Sequence, residues 1–286
     1  MRPALHSLMF AAYAVARFAP IARALGYEGV ALMSRPPHID LRQPEATAQA
    51  CAAALREVGL TPVALASHLG RLDSYLGAAA ASELEAVHHA VAAAATAGMP
   101  LIRLWGGGPG LDRGVAAEHA AALAWYRRAA DVAAAAGLRA MIEVHATGLA
   151  NSTRDACALV DAIGHPSLGL ALDTGNLHVA AGPIAGADVV AMGPRIFDVH
   201  VKDLRQLASA AGHTLHVGGQ YYLHTLLGEG EVRNPSVLAA LALAGYEGWV
   251  TSECECQWPD WEASVAAARH EARELRRLIA AAQAAT

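Results

Sequence analysis

The chain of 286 residues is long enough for one large domain or two small ones, and its length alone does not choose between them. Its formal net charge is −5 and it has no basic run, which argues against a nucleic-acid partner, because a surface that follows phosphates needs clustered Lys and Arg. No apolar run is long enough for a bilayer span or a signal peptide, and the four cysteines form neither a disulfide framework nor a CxxC zinc pattern, so we expect a cytoplasmic protein without membrane association.

Short β-branched or aliphatic runs alternate along the chain with long Ala-rich segments of helical periodicity. The eight predicted strands lie near Leu5–Phe10, Gly29–Met33, Thr61–Ser67, Leu101–Trp105, Arg139–Val144, Leu168–Leu172, Ile196–Val201 and Gly248–Ser252. The predicted helices lie near Ala14–Leu25, Ala46–Val58, Ser82–Ala97, Ala116–Ala136, Thr153–Ile163, Ala185–Ala191, Pro235–Ala244 and Trp261–Ala282. Several helices end at a glycine that precedes a strand, the expected place for a left-handed cap: Gly26, Gly59, Gly98, Gly137 and Gly245.

Eight strands that each precede a helix are the pattern of a (β/α)8 TIM barrel. No Gly/Ser- or Pro-rich linker divides the chain, so we predict a single α/β domain over residues 1–286. The alternative is an open doubly wound sheet, which favours a G-x-G-x-x-G turn after the first strand, and none is there. The glycine-rich stretch Gly106–Gly110 follows the fourth strand instead, and we interpret it as a loop rather than a phosphate-binding turn.

The connection Leu204–Asn234, after the seventh strand, is much longer than the other loops. Long loops inside compact domains are usually functional or disordered. This one follows the C-terminal end of a strand, where the active sites of such barrels lie. We therefore predict that residues 204–234 cover the active site, with a plain excursion of the chain as the alternative.

Polar residues occupy the inward positions at the ends of several predicted strands. The seventh strand and its end read IFDVHVKD (196–203), in which polar residues alternate with apolar ones and His200 lies on the polar face. Glu143, Asp173 and Glu253 hold the last inward positions of three other strands. In a barrel these positions surround one mouth, so we expect the four side chains to converge.

Three unpaired carboxylates in one pocket would repel one another and lose their hydration, and a bound divalent cation removes both costs. Two Glu, one Asp and one His make a mixed oxygen and nitrogen site, which favours Mn²⁺ first, suits Mg²⁺ or Co²⁺ and permits Zn²⁺ or Fe²⁺. Taken singly, each acid could be a cap or a surface group and His200 a core histidine. Their joint occurrence at four strand ends predicts one metal site with positions open for substrate oxygens or water.

Further polar residues are predicted around this centre. Lys202 shares the inward face with His200 and either handles a substrate oxygen or pairs with an acid such as Glu229 or Glu255. A Schiff-base role for it is less favoured, because the metal already supplies the electrophile. Asp198 lies one layer deeper than His200 and is predicted to support it. The candidates for the rim of the pocket are His68, His145, His178 and Trp105, the last of which would stack on a sugar ring or pack in the core.

At these residues the chain resembles the xylose isomerase-like TIM barrel superfamily, the sugar phosphate isomerase/epimerase group. The matching segments are IEVHATG (142–148), ALDTGN (171–176), FDVHVKD (197–203), LGEGEV (227–232) and GYEGWVTSECE (245–255). They cover strands five to eight and their loops. The N-terminal half matches only in periodicity and in ASHLGRLDS (66–74), around His68.

The resemblance implies one divalent metal ion held by Glu143, Asp173, His200 and Glu253. In the ketose 3-epimerase and related isomerase branches, the glutamates that match Glu143 and Glu253 also exchange the substrate proton through a cis-enediolate. The resemblance further implies a small carbohydrate substrate, and homo-oligomers are common among such barrels. The predicted substrate-binding residues are His68, Trp105, His145, Asn176 and Lys202.

Two positions depart from the epimerase branch: Asn176 replaces a histidine and Gln206 replaces an arginine, with Arg205 beside it. The endonuclease IV branch would place histidines at Trp105 and Asn176, which together with the acidic charge argues against an AP endonuclease-type phosphodiesterase. Our first hypothesis is a metal-dependent isomerase or epimerase of a sugar or keto-sugar. The alternative is a metal-dependent lyase or dehydratase acting on a keto-inositol or 3-keto-glycoside, and a non-catalytic binding barrel is less favoured.

Overall fold

The computed structural model describes residues 1–107 and 116–285 and shows a closed barrel of eight parallel strands. The barrel strands are β1 (Arg2–His6), β2 (Gly29–Met33), β3 (Thr61–Ala66), β4 (Leu101–Trp105), β5 (Arg139–Glu143), β6 (Leu168–Asp173), β7 (Ile196–Val201) and β11 (Trp249–Ser252). Between β7 and β11 lie the short strands β8 (Asp203–Leu207), β9 (Leu215–Val217) and β10 (Gln220–Thr225). The α-helices of the described residues are α1 (Val15–Ala24), α2 (Pro44–Glu57), α3 (Gly77–Ala97), α4 (Ala116–Ala135), α5 (Thr153–Ile163), α6 (Thr174–Ala181), α7 (Gly186–Met192), α8 (Asn234–Leu243) and α9 (Trp261–Gln283).

The barrel closes in the order β1-β11-β7-β6-β5-β4-β3-β2, so the predicted single-domain (β/α)8 barrel is confirmed. The helices form the outer layer. In α5, for example, Ser152 caps the first turn by accepting a hydrogen bond from the Asp155 N–H at 3.1 Å, and Gly164 ends the helix with a φ of 62°. The helix buries Leu159 and Ile163, which are four residues apart and therefore lie on one face. None of the described helices contains an apolar stretch long enough to cross a membrane.

The interior of the barrel divides into an apolar floor and a polar mouth. Small and medium side chains from several strands form an inner cluster that is separate from the helix-facing core: Ala4, Ala31, Val63, Ala64, Leu101, Met141 and Ala171. Phe197 and Trp249 pack against this cluster. Because inward positions alternate along each strand, the next inward residues stand above this floor, toward the C-terminal ends of the strands.

Two predicted boundaries are wrong, and one helix was not predicted. The first strand is Arg2–His6 rather than Leu5–Phe10, because Ser7–Phe10 forms a 3₁₀ turn in which His6 Nδ1 accepts from the Leu8 N–H at 3.2 Å. Helix α3 begins at Gly77, five residues before the predicted Ser82. Helix α6 was not predicted, and it starts because Asp173 Oδ1 accepts from the Asn176 N–H at 2.7 Å.

The long connection 204–234 contains structure that its composition does not predict. Strands β8, β10 and β9 form a separate antiparallel sheet in that order. Asp203 fastens the segment, because its carboxylate accepts hydrogen bonds from the N–H groups of Leu204, Gly228 and Val232 at 2.9 to 3.0 Å. That this segment covers the active site stays a prediction. The loop predicted at Gly106–Gly110 lies partly outside the described residues, which end at 107 and resume at 116.

Candidate metal centre

Four side chains meet where the barrel strands end: Glu143, Asp173, His200 and Glu253. Each offers one ligand atom, and these atoms all lie within 4.8 Å of one another. All four residues are buried, and the side chains of Asp173 and His200 are at most 1% exposed. The structure thus brings together the residues that strand alternation selects, while their role as metal ligands stays a prediction.

The strand register explains the convergence. Asp173 at the end of β6 pairs with His200 of β7, and His200 pairs with Thr251, two residues before Glu253. Glu143 ends β5 and pairs with Ala171 of β6. Neighbouring strands in a sheet are about 4.8 Å apart, so polar residues at equivalent heights on adjacent strands come within contact distance.

Arg103, on β4, joins the two glutamates. Its Nη1 lies 2.9 Å from Glu143 Oε1 and 3.6 Å from Glu253 Oε1. Its Nε and Nη2 donate to the backbone carbonyl of Ser67 at 3.3 and 3.0 Å, which fixes the guanidinium in place. Burial raises the pKa of Glu143, but the charge of Arg103 and the hydrogen bond and charge of His200 together outweigh burial and lower that pKa to about 2. Glu143 is therefore a carboxylate at neutral pH.

Lys202 occupies the other side of the cluster. Its Nζ lies 3.0 Å from Asp173 Oδ2 and 3.7 Å from Glu253 Oε2, and it forms an ion pair with Glu255. Burial lowers the pKa of Lys202, but the surrounding carboxylates raise it well above its ordinary value, so the side chain is an ammonium. Burial raises the pKa of Asp173 to about 7, and the nearby charge of Lys202 offsets this only in part. Lys202 thus compensates the negative charge of the Asp173 carboxylate only in part, and a further cation is needed to complete it.

The two ring nitrogens of His200 face different neighbours. Nδ1 lies 3.0 Å from Glu253 Oε2 and 3.3 Å from Glu143 Oε1, so this nitrogen faces the proposed metal position. Nε2 lies 3.4 Å from Asp198 Oδ2, without hydrogen-bond geometry. Asp198 in turn accepts from the Thr251 hydroxyl at 3.3 Å. A carboxylate on the far nitrogen orients a ligating imidazole, which is the supporting position predicted for Asp198.

The charges at the mouth leave a negative excess. The buried or half-buried acids are Glu143, Asp173, Glu253 and Glu255, and the permanent cations are Arg103 and Lys202. A divalent cation offsets that excess, and carboxylate oxygens with one imidazole nitrogen are donors that hard and borderline divalent ions accept. The residues present therefore fit one divalent ion, and the donor set does not select a single metal.

A cavity of about 80 Å³ opens onto the cluster. The predicted substrate-binding residues that line it are His68, Trp105, His145, Asn176 and Lys202. The ring centroid of Trp105 is 4.2 Å from that of His145 and 6.1 Å from that of His68, so these three rings form one wall. His178, predicted at the rim, packs instead against Tyr222 with ring centroids 6.3 Å apart, and it is not among the described residues that line this cavity.

Two buried polar residues of the cavity wall were not predicted. Arg103 lies two residues before Trp105 and so shares its inward face; strand alternation, applied one step further, identifies it. His6 ends β1 and lies with Nε2 3.4 Å from Glu253 Oε1. The misplaced first strand concealed His6, because with the correct bounds Ala4 and His6 face inward together.

Comparison with known proteins gives one family and several structures of similar fold. The family described as xylose isomerase-like TIM barrel matches residues 19–278. No curated protein matches the chain. A fusion of a xylose isomerase-like TIM barrel with a 4-hydroxyphenylpyruvate dioxygenase matches with a TM-score of 0.77 and 18% identity, over 97% of this chain and 42% of its own. This chain thus spans less than half the length of that fusion protein.

Three other solved structures match nearly end to end. An L-ribulose 3-epimerase has a TM-score of 0.78 and 18% identity, covering 99% of this chain and 96% of its own. The probable 3-DHS dehydratase AsbF from Bacillus anthracis, described as involved in petrobactin synthesis, has a TM-score of 0.77 and 18% identity over 96% and 99%. The IOLI protein with a bound zinc atom has a TM-score of 0.77 and 15% identity over 98% of each chain. At these identities the likeness is one of fold, and it is the family match over residues 19–278 that places this chain in the xylose isomerase-like TIM barrel family.

Proposed function

We propose that this protein is a divalent-metal-dependent isomerase or epimerase of a sugar or keto-sugar. The observation that carries the proposal is the pair of buried glutamates at one cavity. Glu143 and Glu253 both contact Arg103 and both lie within 3.3 Å of His200 Nδ1. Two carboxylates at one reacting centre are the groups that removal and return of a proton require.

The metal ligands, the two glutamates and Lys202 would each have a separate part in this reaction. Glu143, Asp173, His200 and Glu253 would hold one divalent ion, for which we propose Mn²⁺, and that ion would supply a Lewis acid for a substrate carbonyl. One glutamate takes the proton from the carbon next to the carbonyl, and the other returns a proton to that carbon or its neighbour. Nearby charges and the hydrogen bond with His200 outweigh burial and lower the pKa of Glu253 well below its ordinary value, so it also starts as a carboxylate. The ammonium of Lys202 is placed to stabilise charge that develops on a substrate oxygen.

The lining of the cavity suits a substrate with a small polar ring. The rings of Trp105, His145 and His68 form one wall of the cavity. Asn176 and Lys202 add polar groups to its lining. Aromatic faces with a few polar groups are typical of pockets that orient compact ligands. One solved structure of the same fold is described as an L-ribulose 3-epimerase, and its 18% identity to this chain carries only the fold.

A lyase or dehydratase is the second candidate. Lys202 Nζ lies 3.0 Å from Asp173 and 3.7 Å from Glu253, so a cation stands beside the proposed proton-transfer carboxylate. A group in that position would also assist departure of an oxygen from the β-carbon once the proton has been removed. The probable dehydratase from Bacillus anthracis has the same fold.

The deciding experiment uses protein stripped of metal with EDTA and then reloaded with Mn²⁺. We would incubate it with a panel of sugars and keto-sugars in D₂O and follow the products by NMR. The proposal expects deuterium at the carbon next to the carbonyl, lost on stripping and in Glu253→Gln, and retained in Glu247→Gln, which makes the same change at an exposed site. Appearance of an enone absorbance or a released aglycone identifies the lyase, whereas full activity without metal refutes both candidates.

A further inference from the structure

His6 is held by the backbone in a single tautomer. It is 2% exposed, and its Nδ1 accepts a hydrogen bond from the Leu8 N–H at 3.2 Å. An imidazole nitrogen accepts only when it carries no proton, so the proton of the neutral ring is on Nε2. A doubly protonated ring would point a second N–H at the Leu8 donor. The turn Ser7–Phe10 therefore presents His6 as a neutral ring with Nε2–H as its donor.

That donor faces the cavity and has no acceptor among the described residues. His6 lines the cavity together with Arg103 and Glu253. Nε2 is buried and has no hydrogen-bond partner within residues 1–107 and 116–285. The nearest acid, Glu253 Oε1, lies 3.4 Å away without hydrogen-bond geometry. Buried donors in native proteins almost always have a partner, so an unpaired one at a reaction site indicates an acceptor that arrives with a ligand.

We propose that His6 Nε2–H donates a hydrogen bond to the substrate oxygen that lies next to Glu253 in the cavity. This inference rests on the proposed function and adds a residue to it. A neutral donor stabilises negative charge as it develops on that oxygen without giving up its own proton. His6 Nε2 lies beside Oε1 of Glu253 and Lys202 Nζ beside Oε2, so the two side chains would contact oxygens on different parts of the substrate. His6 would thus be a catalytic residue in the sense that it contacts the reacting group.

Two substitutions separate this role from a structural one, because each keeps one of the two contacts. In His6→Asn the amide oxygen takes the place of Nδ1 and still accepts from Leu8, but no donor reaches the cavity. In His6→Gln the amide nitrogen takes the place of Nε2 and still donates into the cavity, while the bond from Leu8 is lost. We expect H6N to lose about 10²-fold in kcat with little change in KM or Tm, and H6Q to keep kcat within a few-fold.

A binding measurement tests the same donor without turnover. Glycolohydroxamate presents two adjacent oxygens to a metal, as an enediolate does, and its affinity for the Co²⁺-loaded protein is measurable by calorimetry. We expect H6N to bind it about tenfold more weakly than wild type or H6Q, with equal Co²⁺ affinity in all three. Equal hydroxamate affinities overturn the proposal, as does H6Q falling with H6N. Weaker Co²⁺ binding in H6N alone also overturns it, since His6 would then orient Glu253 instead.

Failure of the proposed function and failure of the role of His6 give different results in these experiments. If no sugar or keto-sugar reacts while H6N still binds glycolohydroxamate more weakly than H6Q, the isomerase proposal fails and the donor role of His6 stands. If the sugars react and the two variants are alike in kcat and in hydroxamate affinity, the isomerase proposal stands and the role of His6 fails. Failure of wild type to bind the hydroxamate also overturns the role of His6.

Discussion

Arg103 Nη1 and Glu143 Oε1 lie 2.9 Å apart at the mouth of the barrel, and neither side chain is more than 4% exposed. A permanent cation thus stands beside Glu143 and Glu253, while Lys202 stands beside Asp173 and Glu253. This arrangement compensates part of the carboxylate charge when no metal is bound. It explains how the chain can fold with several acids in one buried cluster before it acquires an ion.

Removal of that cation should destabilise the metal-free protein. Arg103→Met leaves Glu143 and Glu253 without their shared partner, and breaking a buried ion pair from one side costs about 3–5 kcal/mol. Saturating Mn²⁺ should recover part of the loss, because the ion takes over charge compensation but not the contact with Ser67. Urea unfolding in EDTA and in Mn²⁺ measures both effects. The control is Arg139→Met, at an exposed arginine that stacks on Phe197; equal behaviour of the two variants would contradict this account.

Asp198→Asn should weaken metal binding rather than folding. Asp198 Oδ2 faces His200 Nε2 at 3.4 Å, so the substitution removes the carboxylate that orients the ring and raises its basicity. Loss of such a partner typically weakens metal affinity by about 10–100-fold. Titration calorimetry with Mn²⁺ gives the dissociation constant and one site per chain in wild type. Asp131→Asn, at a carboxylate that is 65% exposed, should leave both values unchanged. An unaltered affinity in D198N would exclude the supporting role.

Asp203 should control the segment that follows β7. Its carboxylate accepts three backbone hydrogen bonds from residues up to 29 positions away, and each bond to a charged acceptor contributes about 1.5–3 kcal/mol. Asp203→Ala should lower the free energy of unfolding by about 3 kcal/mol or more, and Asp203→Asn by less, since one oxygen remains. Limited proteolysis should then cleave within residues 204–234. The exposed Asp73→Ala is the matched control, and a protease-resistant D203A would show that other contacts hold the segment.

The barrel and the four converging side chains were predictable because their signals are local. The alternation of inward and outward residues in β5, β6 and β7 is visible within each short strand sequence. Closure of the barrel then brings the ends of these strands together. Arg103 obeys the same alternation, because it shares the inward face of β4 with Trp105. The signal was present at its position, two residues before Trp105.

Contacts between distant residues account for what the sequence did not reveal. The chain turns after His6 because Ser7 Oγ accepts a hydrogen bond from the Met33 N–H at 2.9 Å, 26 residues away. Hydrophobic periodicity does not predict a bond of this kind. The antiparallel sheet of β8, β9 and β10 depends in the same way on Asp203, whose partners lie at Gly228 and Val232. Polar side chains that bond distant backbone therefore set the boundaries that hydrophobic patterns miss.

Stability should depend on pH through Glu271, which is not one of the four predicted ligands and bonds Ser252, the residue before Glu253. It is 1% exposed in α9, where Oε1 accepts from the Leu227 N–H at 2.7 Å and Oε2 from the Ser252 hydroxyl at 2.5 Å. Burial raises the pKa of Glu271, and these two hydrogen bonds offset the effect only in part. The folded protein thus holds this proton to higher pH than the unfolded chain does.

Glu271→Gln should therefore gain stability relative to wild type as the pH rises. Above the ordinary carboxyl pKa the unfolded wild-type chain releases its proton while the folded protein keeps it, so wild-type stability falls until the pH passes the raised folded pKa. The glutamine does not titrate, and its amide oxygen and nitrogen serve Leu227 and Ser252 at every pH. Urea unfolding in EDTA at pH 4, 5, 6 and 7 should show the difference between E271Q and wild type shifting steadily in favour of E271Q. Glu247→Gln, at an exposed glutamate, should show no such trend, and a pH-independent difference for E271Q would mean that Glu271 has the same pKa in both states.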